Sequence, residues 1–374
     1  MRLLDRYLLR ELCWPLAVCL VGFLMFWISM DLFTQMPDFQ DHHLSLADIG
    51  AYYALRAPEL LVTILPIALL MGLLYAITNH ARHHEIVAIR AAGISTWRLS
   101  APYLGVGVSF GLLLFLVNNY CVPSSSAAAE QIRQSGLNNV SQYRLAPQHN
   151  IYFVNAVAGR YWRIATFFPA TGEMQQPKII WQLPDGSQRD IRAELGRYQD
   201  GAWTFYDVQM DLYPPRKDGV AMPERSQTNA LPLPELSERP AQILNEIRIN
   251  SLSSFKASRR ANLSLDDILE YFRWHPWMGS AKQVMLNTLL HAAYAAPLTC
   301  LVVVIVALPF GLQSGRRNAF VGVAASIVIC FAFFVLREFS LAMGAGGYLP
   351  AWLAAWLPNL IFGGGGLLAL QKLR

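Results

Sequence analysis

The sequence predicts an α-helical polytopic membrane protein with six transmembrane helices and an inserted all-β domain that is jelly-roll-like. Three observations predict this class. Of the 374 residues, 54% are hydrophobic and only 15% are charged, whereas soluble domains carry about 25% charged residues. The apolar residues are gathered in uncharged stretches of about eighteen residues or more, which is long enough to cross a bilayer. One long polar segment with short β-type patterns separates two groups of these stretches.

Six apolar stretches are predicted to cross the membrane, three on each side of the polar segment. They lie at residues 12–30, 60–77, 99–129, 283–315, 318–336 and within 339–371. The last run is too long for one span, and its Gly-rich turn at 344–350 predicts a hairpin between spans five and six. We therefore expect transmembrane helices 1–3 in residues 1–122, a periplasmic domain with a return helix in 123–282, and transmembrane helices 4–6 in 283–374.

The positive charges predict the orientation of these spans. Lys and Arg residues cluster at one set of span ends, namely Arg2, Arg6, Arg10, Arg82, Arg90, Arg98, Arg316, Arg317, Lys372 and Arg374. Short loops rich in Lys and Arg stay in the cytoplasm. Both termini are therefore expected in the cytoplasm, and the polar domain is expected on the opposite side of the membrane. The first stretch is too long for a signal-peptide core and is expected to be retained.

The polar domain is predicted to consist mainly of short strands. The expected strands are 151–157, 160–168, 178–183, 189–195 and 203–213, separated by Gly, Pro and Asp turns. Residues 214–240 are Pro-rich and expected to be irregular, and Ser264 is expected to begin a helix that returns the chain to the membrane. Alternation places Ile151, Phe153, Trp162 and Ile164 inward. They form either an ordinary closed core or the wall of an apolar path.

Several kinds of chemistry find no support in the sequence. The five cysteines lie in or beside apolar runs without a CxxC pair, so a disulfide framework or a thiolate metal site is disfavoured. No phosphate-binding P-loop and no hydrolase motif occurs. The basic residues flank apolar spans and form no patch for nucleic acid. We expect no metal and no cofactor in this chain. If it does work across a membrane without a P-loop, the energy has to come from a partner or an ion gradient.

The cytoplasmic segment of residues 80–95 reads HARHHEIVAIRAAGIS and predicts a short helix at about 80–94. Ile86, Ile89 and Gly93 recur at helical spacing, Gly93 can end the helix, and Ser95 can cap the next one. The helix either lies at the membrane surface and reverses the chain, or docks on a cytoplasmic partner. A metal site formed by His80, His83, His84 and Glu85 is disfavoured, because histidine runs at a membrane surface are more often solvated.

Charged residues near the predicted outer ends of the spans are few. They are Asp31, Arg56, Glu59, Arg133, Arg337 and Glu338. Such side chains either snorkel to the outer surface, at little cost, or form a charged rim around a cavity that receives an anionic amphiphile. The adjacent pair Arg337 and Glu338 is the least easily explained by snorkelling. Asp31, Arg56, Arg133, Arg337 and Glu338 are therefore candidate lipid-binding residues.

At this level of detail the chain resembles the LptF/LptG permease family, the membrane subunits of the lipopolysaccharide-export ABC transporter. Three segments carry the resemblance. They are LDRYLLRE at 4–11, the PEL–LP pattern at 58–66 followed by EIVAIRAAGIS at 85–95, and LPAW with AWLPN at 349–359. The order of spans and the large insert also agree, so the resemblance covers the whole chain. The segment at 85–95 is its most specific part.

The resemblance implies a heterodimer of two six-span paralogues above a dimeric P-loop ATPase, which binds the ATP. It also implies a periplasmic jelly roll that passes lipopolysaccharide to a single-span partner and a periplasmic bridge protein. Glu85, Ile86, Ile89, Arg90 and Gly93 match the coupling-helix motif, whose acid pairs with an arginine of the ATPase. Arg133 matches a basic residue that faces the anionic head of the lipid in the G-type paralogue, which the terminal motifs favour.

This sequence departs from the family pattern at two places. Asp31 lies near a position that is often basic late in span one, and His83 and His84 replace more usual polar or basic residues before the coupling acid. Two other functions therefore remain open on the residues alone. One is a membrane-embedded enzyme acting on lipid or peptide at the periplasmic surface, with Asp31, Glu59 and Glu338 as its acids. The other is a scaffold that anchors the periplasmic domain.

Overall fold

The computed structural model describes residues 3–135, 147–169, 171–215, 222–250, 252, 263–276, 281–313 and 319–372. The chain forms two compact units, a helical unit of residues 1–133 with 279–374 and a second unit of residues 134–278. In chain order the elements are α1 (Leu3–Asp41), α2 (Leu46–Arg82), α3 (Glu85–Ala91), α4 (Thr96–Leu116), a π-helical turn (Val117–Cys121), α5 (Val122–Ser135), β1 (Gln148–Asn155), β2 (Arg160–Phe168), β3 (Glu173–Gln182), β4 (Gln188–Arg192), β5 (Leu195–Gln199), β6 (Ala202–Tyr213), β7 (Glu224–Leu233), α6 (Pro240–Asn250), α7 (Leu265–Trp274), α8 (Ala281–Gln313), α9 (Ala319–Ala345) and α10 (Ala351–Gln371).

Five helical segments of the described chain are long and apolar enough to cross a membrane. They are α1, α2, the continuous helix from α4 to α5, α8 and α10. Helices are the expected form here, because a lipid-exposed backbone has to satisfy its polar groups within its own segment. The fifth span predicted from the sequence corresponds to α9, a helix of 27 residues. Residues 314–318, where that span was expected to begin close to Arg316 and Arg317, lie outside the described residues.

The helical unit is built around α2 and α8. Two-thirds of the apolar window of α2 is buried, whereas the corresponding window of α1 has no buried residue. The main apolar cluster contains Leu69 and Leu73 of α2 at its centre, both fully buried, with Cys300 and Val304 of α8. Apolar burial does not by itself hold helices together in lipid, so close packing of small residues matters. Gly111 of α4 is such a contact, because it lies directly against the backbone of α8.

The second unit contains one antiparallel sheet in which strands pair in chain order. The order is β1-β2-β3, then β4 and β5, then β6 and β7. The strands β4 and β5 lie end to end between β3 and β6 and pair with both. The predicted strand at 189–195 is therefore divided between β4 and β5, although its register with β3 and β6 continues across the division. The described strands form a meander, without the Greek-key crossovers that define a jelly roll.

The prediction that residues 214–240 are irregular is wrong for part of this range, because Glu224–Leu233 forms β7. Its side chains are almost all exposed, so the apolar alternation that marks a half-buried strand is missing. Backbone pairing with β6 over nine register positions forms the strand instead. Pro232 is tolerated because β7 lies at the edge of the described sheet. The helix predicted at Ser264 is confirmed, since Ser264 and Asp267 form a capping box at the start of α7.

A straight row of positions interrupts the alternation of the sheet. Asn150, Gln176 and Asp207 have positive φ angles of 54°, 47° and 52°, which is uncommon for residues other than glycine. The strand registers place these three residues in one row across the sheet. Beyond the row the buried positions shift by one, so that Phe205 and Val208 both face the core. The kinks thus keep one face of the sheet apolar along its whole length.

The core of this unit lies between the sheet and α6. Trp162, Trp203 and Phe205 are fully buried, and Ile243 of α6 packs into the same cluster. The buried Glu238 accepts hydrogen bonds from Asn155 Nδ2 at 2.8 Å and from Arg160 Nη1 at 2.9 Å. The guanidinium of Arg160 also stacks on Trp181, with its carbon 4.4 Å from the ring centroid. The ion pair between Arg160 and Glu238 compensates each of these side chains for the burial of its charge.

The contact of Gly111 with α8 yields a prediction about stability. A Cβ atom at this position would lie 2.1 Å from the carbonyl oxygen of Pro297, which is backbone and cannot move aside. Gly111→Ala is expected to destabilise the helical unit by about 1–3 kcal/mol, seen as a lower melting temperature of the purified chain in detergent. Gly105→Ala on the same helix is the control, since a Cβ there meets no atom within 4 Å. Equal melting temperatures for both variants would contradict the described packing.

Candidate functional site

The segment between α2 and α4 forms a compact reversal around the short helix α3. His84 adopts a left-handed conformation, with φ of 57°, and separates α2 from α3. The helix expected at 80–94 is consequently shorter, spanning Glu85–Ala91, because a left-handed residue breaks the helical hydrogen-bond ladder. Gly93, with φ of 83°, ends the turn. Ser95 caps α4 by accepting a hydrogen bond from the backbone N–H of Arg98 at 3.3 Å.

Glu85 is held by two helices other than its own. Its Oε2 atom accepts hydrogen bonds from His80 Nδ1 of α2 at 2.7 Å and from the hydroxyl of Tyr7 of α1 at 3.0 Å. Partial burial raises the pKa of Glu85, but the hydrogen bonds from His80 and Tyr7, together with the charges of His80 and His83, lower it more, so the net pKa is below its ordinary value. Glu85 is therefore a fixed carboxylate at neutral pH. About a third of its side chain is exposed, which leaves it accessible to a partner.

His80 is the buried anchor of this arrangement. It is 2% exposed and its ring lies 5.6 Å from that of Tyr7. Its Nδ1 contacts Glu85, whereas its Nε2 has no hydrogen-bond partner among the described residues. It lines a small apolar cavity with Leu8, Ile86 and Leu99. Among the described residues, no group of three or more His, Cys, Asp or Glu side chains could hold a metal ion.

The remaining motif residues divide between two faces of α3. Ile86 is buried and Ile89 is half-buried, and both pack against the main apolar cluster. Arg90 and Gly93 are exposed. Val87 is 61% exposed on the outward face, although it is apolar. Sequence reasoning missed Val87 because one exposed valine gives no periodic signal, and it missed Tyr7 because 78 residues separate Tyr7 from Glu85.

A second charged group lies at the opposite end of α1, where the helix packs on α2. Arg56 donates to Asp31 Oδ2 at 2.8 Å and to the hydroxyl of Tyr52 at 2.7 Å, and it pairs with Glu59 at 3.4 Å. The hydroxyl of Tyr53 also donates to Asp31 at 3.1 Å. Arg56 and Asp31 are both mostly buried, with side chains 19% and 16% exposed. The structure therefore brings two candidate lipid-binding residues into one ion pair.

Arg133 forms a similar group at the end of α5. It donates to Asp38 Oδ2 of α1 at 2.8 Å and also pairs with Glu130 of its own helix. Arg337 of α9 lies away from both of these charged groups. It lines a separate cavity between α8, α9 and α10. Asn359 lines the same cavity and donates to the carbonyl oxygen of Ala295 at 3.0 Å. Glu338 is exposed.

Ile151, Phe153, Trp162 and Ile164, the candidates for an apolar path, all lie in the core of the second unit. Their exposed fractions are 6%, 1%, 0% and 0%. Phe153 stacks on Trp162, with ring centroids 5.5 Å apart. It also stacks on Trp274 of α7 at 5.9 Å. These side chains are thus packed against one another in the described arrangement.

The anchoring of Glu85 yields a prediction about α3. His80→Phe keeps a ring of similar shape but removes the Nδ1 donor, so the pKa of Glu85 is expected to rise and the amides of Glu85–Ala91 to exchange hydrogen faster. Hydrogen exchange read by mass spectrometry measures this change. His84→Asn is the matched control, because asparagine tolerates the left-handed conformation and the exposed ring of His84 caps nothing. Unchanged exchange in His80→Phe would show that His80 does not hold α3.

Comparison with known protein families agrees with the arrangement of apolar helices around an inserted β unit. The profile described as Lipopolysaccharide export system permease LptF/LptG matches residues 6–372. A search of curated proteins returned no match. The family match extends over essentially the whole chain, including α3 and both charged groups. The chain therefore belongs to the LptF/LptG family of lipopolysaccharide export permeases.

Proposed function

We propose that this chain is the G-type membrane subunit of an exporter that extracts lipopolysaccharide from the bacterial inner membrane and passes it toward the outer membrane. The family match over residues 6–372 is the observation that carries this proposal. The chain pairs with a paralogous six-span subunit, and a dimeric P-loop ATPase supplies the energy. A single-span partner and a periplasmic bridge protein receive the lipid. An anionic lipid is the cargo, and the chain itself performs no catalytic step.

In this proposal α9 is also a transmembrane span, the fifth of six along the chain, and both termini are cytoplasmic. A helix of 27 residues is about 40 Å long at 1.5 Å per residue, which exceeds the hydrocarbon thickness of a bilayer. The Lys and Arg residues at alternate span ends support the orientation. The second unit is then periplasmic. Its meander has open edges at β1 and β7 in the described part, and we propose that closure into a jelly roll involves further strands.

The coupling step is assigned to α3. Glu85 is charged, partly exposed and held by His80 and Tyr7, so it is prepared to pair with an arginine of the ATPase. Val87 and Arg90 lie on the exposed side of the same helix and extend the docking surface. Because Ile86 and Ile89 pack into the apolar cluster of the helical unit, a push on α3 is transmitted to α1 and α2.

The lipid requires an apolar route for its acyl chains. Transfer of one CH₂ group into water costs about 0.8 kcal/mol, so a lipid with several chains cannot cross the periplasm unshielded. We assign the head group to the outer charged residues, with Arg56, Arg133 and Arg337 as its cationic contacts. Ile151, Phe153, Trp162 and Ile164 are the proposed apolar path of the second unit. Since Ile243 of α6 closes their core, passage requires α6 to separate from the sheet.

An alternative assignment as a membrane enzyme gains nothing from the geometry. Asp31 and Glu59 would be two of its acids, but the side chains of both are engaged by Arg56 and are not directed at a common substrate position. Turnover of lipid or peptide by the purified chain, in the absence of any ATPase, would support the enzyme and contradict the proposal.

The docking role of Glu85 can be tested by charge reversal. Glu85→Lys is expected to abolish co-purification of the ATPase and lipid-stimulated ATP hydrolysis, because a lysine would repel the arginine of the partner. The paralogous membrane subunit should still be recovered, since the change lies outside the spans. Glu11→Lys is the control, because Glu11 is an exposed carboxylate on the neighbouring α1 and undergoes the same change of charge. Normal ATPase recovery with Glu85→Lys would disprove the assignment.

A further inference from the structure

The two outer arginines of the first five helices are paired in the same way. Arg56 binds Glu59 three residues along its own helix and Asp31 of α1. Arg133 binds Glu130 three residues back along its own helix and Asp38 of α1. Each arginine therefore has one carboxylate that moves with it and one that belongs to α1. This division makes α1 the element that decides how many anions surround each arginine.

The closed arrangement is electrostatically unsuited to an anionic ligand. Four carboxylates surround two guanidinium groups, and their side chains are between 16% and 48% exposed. Each group thus carries a net negative charge when its carboxylates are ionised. Asp31 accepts from Nη1 of Arg56 and Asp38 accepts from Nη1 of Arg133, at 2.8 Å in both cases. A phosphate cannot reach these donors until the α1 carboxylates leave, because like charges repel and the donors are already used.

Apart from these ion pairs, few contacts hold the outer half of α1 in place. The buried residues of α1 are Leu8, Leu12, Pro15 and Phe39, three of which lie near its first turns. At the outer end only Phe39 adds buried apolar contact, through the rings of Tyr52 and Tyr53. Asp31 and Asp38 are seven residues apart, so they lie on one face of α1 and about 10 Å apart along its axis. Two ion pairs on one face therefore hold this end of the helix.

We propose that Asp31 and Asp38 are intramolecular counter-anions that latch the outer end of α1 onto α2 and α5, and that the anionic head group of the lipid has to displace them. This inference rests on the proposed function. Phosphate groups bind arginine in a bidentate manner, so they can replace the carboxylates. Withdrawal of α1 removes both aspartates together and leaves each arginine with a single glutamate. Two phosphates of one head group, spaced like the two aspartates at about 10 Å, can replace both carboxylates, whereas one phosphate leaves one latch closed.

The latch predicts that removing a counter-anion strengthens lipid binding. The purified exporter complex, in nanodiscs, is titrated with lipopolysaccharide that retains its phosphates and with the same lipid after enzymatic dephosphorylation. Asp31→Asn and Asp38→Asn are each expected to bind the phosphorylated lipid about fivefold more tightly than wild type, the scale of one partly exposed ion pair. Binding of the dephosphorylated lipid should not change. Asp41→Asn is the matched control, since Asp41 is exposed at the same end of α1 and has no arginine partner among the described residues.

Hydrogen exchange of residues 31–41 provides a second measurement that needs no lipid. The double variant Asp31→Asn, Asp38→Asn is expected to exchange faster there than wild type, because the outer end of α1 is released. Weaker or unchanged binding of phosphorylated lipid by the Asn variants, with a wild type that binds, would overturn the latch alone. It would mean that the aspartates position the arginines instead. Absence of lipid binding by the intact wild-type complex would overturn the proposed function and the latch together.

Discussion

The shared hydrogen bonds of Glu85 are the interaction on which the proposed mechanism depends. One carboxylate accepts from α2 through His80 and from α1 through Tyr7, so three helices meet at a single charged atom. A partner that attracts this carboxylate pulls on two spans at once. The N-terminal end of α1 is further fixed by the pair of Arg98 with Asp5, at 2.9 Å. Without these contacts α3 would be held to the spans only by the packing of Ile86 and Ile89.

The sequence predicted the features that depend on local pattern. The apolar runs predicted six spans, of which five are helices of spanning length and hydropathy in the described chain, and the cap at Ser264 predicted the start of α7. It could not predict pairing between residues distant in the chain. Arg133 and Asp38 are separated by 95 residues, and a snorkelling arginine has the same local sequence as a paired one. The site was therefore predicted as a set of separate charges, and the structure added their partners.

In the β unit, apolar alternation along a strand predicts the buried face only in part. Alternation placed Trp162 and Ile164 correctly on the buried face, but it fails after the row of kinks through Asn150, Gln176 and Asp207. Left-handed residues have no strong local signal unless they are glycines. The strand β7 was missed for the opposite reason, because its formation depends on backbone pairing with β6. Both errors arise where the neighbouring strand, and not the residue, decides the conformation.

The length of α1 couples the contacts of Glu85 at one end of the helix to the ion pairs of Asp31 and Asp38 at the other. A continuous helix of 39 residues is about 58 Å long at 1.5 Å per residue. Treated as a stiff lever that pivots near its N-terminal end, it moves its C-terminal end by about 5 Å when it tilts by about 5°. That displacement is greater than the 2.8 Å separation of Arg133 from Asp38. A rotation too small to disturb the packing near Leu8 and Leu12 is therefore sufficient to break an ion pair on the other side of the membrane.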